Sequence, residues 1–337
     1  MRFKNLLICL MLSIGFVCFG INESESVIQC NDSLHHLDQT TLEEIIVIDE
    51  NDLILSETIF YISHIVAQDL LSEDDNYSGS QEEFDAIVDE LIIRLEGVEE
   101  SQAKIAIINN YIFKELDFSY DHSRLHNSSL DTLLMGRVLK RRKGNCLSLS
   151  LIYLCIAERL GISYYGVAVP GHFFVRYRDR ENKINIETTK WGESLSDRYY
   201  QRYMKGFDDQ FLMRTLSKKE TLAFFLCDIA NQYKLRGKHE QAIDIFEVVL
   251  KIIPDYAGAY TNLGNVYERK GDLSEAMNCY KKALEINPVT AEAYYNIGLI
   301  YFLYAKKFSL AKKYGMIARQ LGCQMHPIFK KFLQQIK

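Results

Sequence analysis

The sequence predicts an α+β protein in three parts: a helical amino-terminal region, a core with a buried helix on an antiparallel sheet, and an all-α solenoid. Three observations predict it. Apolar residues recur at three- and four-residue spacings from residue 53 to about 138. Short β-rich runs follow within 163–187, broken at Pro170-Gly171 and at the polar quartet Asp179-Arg180-Glu181-Asn182. From Ala223 onward the chain repeats itself every 34 residues. With 337 residues, 48% of them apolar and only four prolines, the chain can bury ordinary cores and is expected to form two or three domains.

Residues 1–20 read as a signal peptide, because Arg2 and Lys4 precede an apolar run over 6–19 and Gly20 closes it. Export to a periplasmic or secreted location is the expectation, and a membrane anchor through this segment left uncleaved is the alternative. The segment holds two basic and no acidic residues, so its removal takes the formal charge from −6 to −8. An acidic chain argues against a nucleic-acid partner. Cys30, Cys146, Cys155, Cys227, Cys279 and Cys323 lie beyond that segment, scattered over three regions, and read as mostly free thiols rather than as a disulfide framework.

Residues 21–52 are polar, acidic and without period, a linker with room for one short helix. Residues 53–218 hold the helical region and the core. ILSETIFYISHIVAQDLL is the first helix, with His64 as a core or rim residue. Ser80 caps the second through S-x-x-E to Glu83. A third, over about 100–115, buries Ile105, Ile108, Tyr111 and Ile112. His122 and His126 are four apart, but they lack a helix and a third ligand and read as surface loop. Ser128 or Ser129 caps the next helix, which runs through Leu130, Leu133, Leu134 and Val138 and ends in Lys140-Arg141-Arg142-Lys143, with Gly144 at the αL exit.

LSLSLIYLCIAERL is apolar on nearly all sides and so forms a buried helix, with Gly161 as its stop. Cys146 sits at its amino terminus, where free N–H groups and the positive dipole end favour a thiolate. Cys155, nine residues on, is core. His172 opens the strand HFFVRY and Glu187 closes the strand KINIE. With the turn centred between Asp179 and Arg180, residues whose numbers add to 359 face each other, His172 and Glu187 among them. With the centre one residue later they become diagonal neighbours on one face, still within side-chain reach. Phe173 and Phe174 face opposite sides, and Trp191 lines either cleft or core.

The repeats occupy 223–325. Pro254 and Pro288, Ala242 and Ala276, Phe246 and Tyr280, and Tyr233 and Tyr267 are each 34 apart. In the third copy one inserted residue shifts Ala311 and Ala318, and residues 326–337 are expected to cap the open end. These units resemble tetratricopeptide repeats, a resemblance that implies a concave surface for a protein or peptide partner.

The run over about 107–192, with its RRKGNC turn, ERLGI helix end, AVPGHFFVRY strand and NIETTKWG exit, resembles the transglutaminase-like superfamily in the branch with helices ahead of the core. The resemblance implies a papain-like arrangement, with Cys146 as nucleophile, His172 as base and Glu187 as orienting acid. The family's third residue is usually aspartate, so Glu187 is a departure of one methylene. The reaction implied is thiol-dependent acyl transfer on amides, as a peptidase or amidase with protein crosslinking as a subordinate option, needing no metal or organic cofactor. The alternative is a non-enzymatic binding or assembly protein that uses the repeats and keeps an inactive core.

Overall fold

A computed structural model of the chain describes residues 37–72, 77–123, 129–202 and 213–335. The signal-peptide reading of 1–20, Cys30, Ser128 and His126 lie outside the described residues.

Within the segment expected to be a linker with room for one short helix, residues 39–47 form a packed helix, α1 (Gln39–Val47). Asp38 Oδ1 caps it by accepting from the Thr41 N–H at 2.8 Å, and Leu42 and Ile45 are buried. Next comes α2 (Leu55–Leu71), whose leading N–H groups have no cap of their own. The Glu158 carboxylate, more than a hundred residues away, accepts from the Leu55 and Ser56 N–H groups at 3.0 and 2.9 Å. α3 (Tyr77–Arg94) begins three residues before the expected Ser80 cap, which becomes a first-turn residue. The Tyr77 ring packs against Tyr61 and His64 and its hydroxyl accepts from Gln81 at 2.7 Å, contacts that hold the extra residues in helix.

α4 (Ser101–Asn109) runs into a π-helical turn, Asn110–Glu115. The helix expected through Leu130 and Val138 is broken in two, a 3₁₀ turn at Leu130–Thr132 and α5 (Met135–Arg141), because Leu134 between them is extended. Arg142, at φ +56°, takes the left-handed exit expected at Gly144. Gly144 has a different duty. Ser119–Tyr120 (β1) pairs in parallel with Lys143–Gly144 (β2), and a Cβ on Gly144 would lie 2.5 Å from Ser148 Oγ.

α6 (Cys146–Arg159) is buried along almost its whole length and packs on a four-stranded antiparallel sheet. Its strands are β3 (Tyr164–Val169), β4 (His172–Arg178), β5 (Lys183–Glu187) and β6 (Glu193–Ser194), in spatial order β3-β4-β5-β6. Val169 pairs with His172 across the Pro170-Gly171 turn, where Gly171 takes φ +68°. Phe173 joins the main core, and Phe174 joins a smaller cluster with Val167, Val169 and Tyr200 beneath α7 (Asp197–Gln201).

Three antiparallel helix pairs follow: α8 (Lys218–Leu235) with α9 (His239–Ile252), α10 (Ala257–Lys270) with α11 (Leu273–Ile286), and α12 (Ala291–Leu303) with α13 (Phe308–Gln320). The first helix starts at a Ser217–Glu220 capping box, ahead of Ala223. The inserted residue of the third pair falls in its turn, where Lys306 at φ +53° takes the left-handed place held by Gly237 and Gly271 in the first two. α14 (Pro327–Gln335) closes the end by burying Phe329 and Leu333.

The helical region, the sheet's inner face and the first repeats share one apolar core, from Leu37 to Cys279. Polar contacts run alongside it. Glu50 accepts from the Lys218 and Lys219 N–H groups at the start of α8, Lys218 Nζ reaches Glu158 at 2.7 Å, and Lys238 pairs with Asp69.

Candidate active site

The thiol is placed by the way α6 begins. Asn145 is the N-cap: its Oδ1 accepts from the Ser148 N–H at 2.9 Å, while Ser148 Oγ accepts from the Asn145 N–H at 2.9 Å and donates to the Thr132 carbonyl at 2.6 Å. This reciprocal cap leaves Cys146 as the first helical residue, partly exposed, with the positive end of the dipole beneath it. Cys155 is wholly buried in the same helix and burial pushes its thiol up. All five described cysteines are free.

The Cys146 thiol and the Glu187 carboxylate both contact the His172 ring. His172 Nε2 lies 2.7 Å from Glu187 Oε2, and that leaves Nδ1 as the nitrogen open to the thiol. Glu187 is only 1% exposed, and its second oxygen accepts from the Thr189 N–H at 3.1 Å and the Thr189 hydroxyl at 2.6 Å. Burial disfavours the charged imidazole, yet the Cys146 and Glu187 contacts outweigh it and raise His172 to about 10. Burial likewise opposes the charged Glu187, but the His172 and Thr189 bonds outweigh it and hold the carboxyl below its ordinary value.

Of the two hairpin registers, the later one forms. Val175 pairs with Ile186 and Arg178 with Lys183, so the four residues 179–182 make the turn. His172 and Glu187 are therefore diagonal neighbours rather than direct partners, and the glutamate's extra methylene helps to span the diagonal.

Several supporting residues went unread in the sequence. Tyr200, fully buried, stacks on Phe174 with centroids 3.7 Å apart and lies parallel to the His172 ring at 6.3 Å and 17°. Its short helix is anchored through Asp197, which accepts from Arg176 at 3.0 Å, Asn185 at 2.8 Å and Lys183 at 2.5 Å. Asn109 bridges three elements, accepting from Tyr153 at 2.9 Å and donating to the Gly192 carbonyl at 2.9 Å. Gly192, at φ +77°, cannot carry a Cβ there, since one would lie 2.3 Å from Asn109 Cγ. Asn145-x-x-Ser148 was a legible capping signal; nothing local marked Tyr200 or Asn109.

A cavity of about 380 Å³ flanks the site, walled by Tyr120, His122, Lys143, Thr188, Thr189 and Trp191. Trp191 is 64% exposed and held at φ +54°, so it lines this opening rather than the core. A thiol at a capped helix start, a half-buried imidazole and a buried carboxylate together can relay a proton to and from a group that the thiol attacks.

Residues 79–227 match the family model of the transglutaminase-like superfamily, and 230–271 and 269–303 match the TPR repeat. The chain carries a transglutaminase-like domain followed by tetratricopeptide repeats. A UPF0162 protein of Xylella fastidiosa is 26% identical over 170 residues, which cover 48% of this chain and 60% of that protein. F-box only protein 21 of Mus musculus is 36% identical over 70 residues, 21% of this chain and 11% of that protein. Protein SirB1 of Salmonella typhimurium is 32% identical over 76 residues, 23% of this chain and 28% of that protein. The chain thus spans at most 60% of the length of these curated relatives.

Proposed function

We propose that this chain, a transglutaminase-like domain followed by tetratricopeptide repeats, is an exported cysteine hydrolase that cleaves amide bonds and recruits a protein partner through its repeats. The observation that carries the chemistry is the convergence on His172 of the Cys146 thiol and the Glu187 carboxylate. Export rests on the charge and hydropathy pattern of residues 1–20.

In the mechanism, His172 holds the proton and Cys146 the thiolate. The sulfur attacks the amide carbonyl carbon, and the oxyanion that forms is met by N–H groups at the start of α6, that of Cys146 included. Collapse breaks the C–N bond as the imidazolium gives its proton to the leaving amine. Water then loses a proton to His172 and attacks the thioester, the C–S bond breaks, and the acid product leaves with thiolate and imidazolium restored. Glu187 keeps the ring oriented throughout and stabilises its charge.

The test is iodoacetamide labelling at pH 6 with Cys323 as internal reference, since burial pushes that partly exposed thiol up to about 11. Cys146 is expected to label at least roughly tenfold faster. Equal rates, together with amidase activity that survives Cys146→Ala, would remove the enzyme reading. For export, amino-terminal sequencing of the protein recovered from cell fractions is the direct check: a start past residue 20 in the periplasmic or secreted fraction supports it, and an intact start in the cytosol rejects it.

A further inference from the structure

Between α8 of the first repeat and the start of the thiol-bearing helix lies a second cavity, of about 240 Å³. Leu133 and Asn145 wall it on the core side; Asp228, Asn231, Gln232 and Lys234 wall it on the repeat side. It is polar and large enough for the end of one long side chain.

Its charges are not neutralised among themselves. The Asp228 carboxyl accepts no hydrogen bond from, and pairs with no cation of, any described residue. Lys234, six residues along, turns its ammonium to Asn231 Oδ1 at 2.6 Å instead. Burial pushes Asp228 up, to about 6, and its half-buried carboxyl lines the cavity without a counter-charge. Burial, with Arg269 of α10 next, pulls Lys234 down to about 8. A carboxylate in a cavity wall with no counter-charge favours whatever brings it a cation.

The cavity's surroundings indicate what brings it. Asn231 and Asn265 hold the same place in successive repeats, 34 residues apart, and Asn265 Oδ1 accepts from Asn296 at 2.7 Å. A row of side-chain amides therefore runs from the cavity along the first helices of the repeats. Amides of this kind suit the backbone of an extended peptide, while Asp228 suits a positive charge projecting from it.

We propose that this cavity receives the ammonium or guanidinium of a lysine or arginine side chain from a peptide lying along the repeats, with Asp228 as its counter-charge and Asn145 as its far wall. This rests on the reading of the repeats as a partner-binding surface, and it adds the chemistry of the residue recognised there. It also sets the recognised side chain beside Asn145, the residue that caps the helix of Cys146.

The experiment uses the full chain and small probes: n-butylguanidinium and n-butylammonium against n-butanol and butyrate, followed by NMR at the side-chain amides of Asn145, Asn231 and Gln232. The cations are expected to shift these signals saturably, the alcohol and the anion not. Asp228→Asn is expected to weaken cation binding at least tenfold, and Asp228→Glu to retain it. Equal shifts from butanol, preference for butyrate, or undiminished binding in a folded Asp228→Asn protein would each overturn the proposal. Charge selectivity in the wild-type chain carries the test even if the variant fails to fold. Neither readout requires activity or a known partner. An inactive Cys146 would leave the binding intact, and loss of binding would leave the chemistry at Cys146 untouched.

Discussion

His172 Nε2 and Glu187 Oε2 meet at 2.7 Å although the two residues do not face each other in the hairpin. The contact is diagonal, so side-chain length is part of the design. Glu187→Asp is expected to slow Cys146 alkylation by roughly tenfold, because the shorter carboxylate falls short of the ring. Glu187→Gln is expected to slow it by about a hundredfold or more, since an amide cannot stabilise the imidazolium. Kinetics of iodoacetamide labelling on both variants give the answer; equal rates for wild type and Glu187→Gln would mean that the carboxylate does not orient the base.

The pH dependence follows from two opposite shifts. His172 is raised from 6.5 to about 10, so its contribution to stability is complete below 6.5 and disappears as the pH climbs through about 10. Glu187 is lowered from 4.5, so its contribution is present above 4.5 and disappears on acidification below that value. Thermal melts of wild type and His172→Ala at pH 5, 7.5 and 10.5 should show the largest gap at 5, a smaller one at 7.5 and the narrowest at 10.5. Amide hydrolysis should fall through the same alkaline range as the imidazolium loses the proton that it gives to the leaving amine. A gap that keeps widening above pH 10 would contradict the shift.

Asn145 joins stability to reactivity. Asn145→Ala removes the cap of α6 and is expected to cost about 1 kcal/mol by urea unfolding. It should also slow Cys146 labelling several-fold, because the freed first turn no longer presents its N–H groups in a fixed array. Asn145→Asp and Asn145→Ser restore an acceptor and should recover most of both. A loss of stability with labelling unchanged would separate the cap from the thiol.

Tyr200 is tested by ring replacement. Tyr200→Phe keeps both stacks and should retain most labelling activity. Tyr200→Ala empties a fully buried site and should cost about 3–5 kcal/mol. A milder change, Tyr200→Leu, should leave a folded protein in which His172 has lost its parallel neighbour, visible as a flattened pH profile of labelling. An unchanged profile would reduce Tyr200 to core filling.

The candidate site was legible because its parts are local. A thiol next to a helix-start signal, a histidine after Pro-Gly and an acid at the far end of a counted hairpin can each be read within a few residues, and counting left only two registers. The choice between them depends on whether Asp179 closes the turn; its carboxylate accepts from the Glu181 and Asn182 N–H groups at 2.7 and 2.6 Å, an arrangement spacing alone does not specify. Residues 21–52 show no sustained period and leave room for a short helix without placing it; residues 39–47 are helical because α9 of the repeats is there to cover their apolar face. Leu134 breaks a continuous periodic run where Met135 N–H turns to Ser63 Oγ at 3.2 Å, a tertiary contact with no trace in the spacing. Tyr200 and Asn109 work across long sequence separations, and nothing in their neighbourhoods distinguishes them from other polar or aromatic residues.

Glu158 accepts from the first turn of α2 and pairs with Lys218 at the head of the repeats, while Glu50 caps α8 from the opposite direction. Each carboxylate finishes a helix that belongs to another stretch of chain. Severing the molecule near residue 217 would therefore take Glu50 away from the start of α8, part Lys218 from Glu158 and leave a torn apolar face on both pieces. The two portions are expected to melt in one cooperative transition, and a protease acting on the native protein should find no stable fragment to release at that boundary.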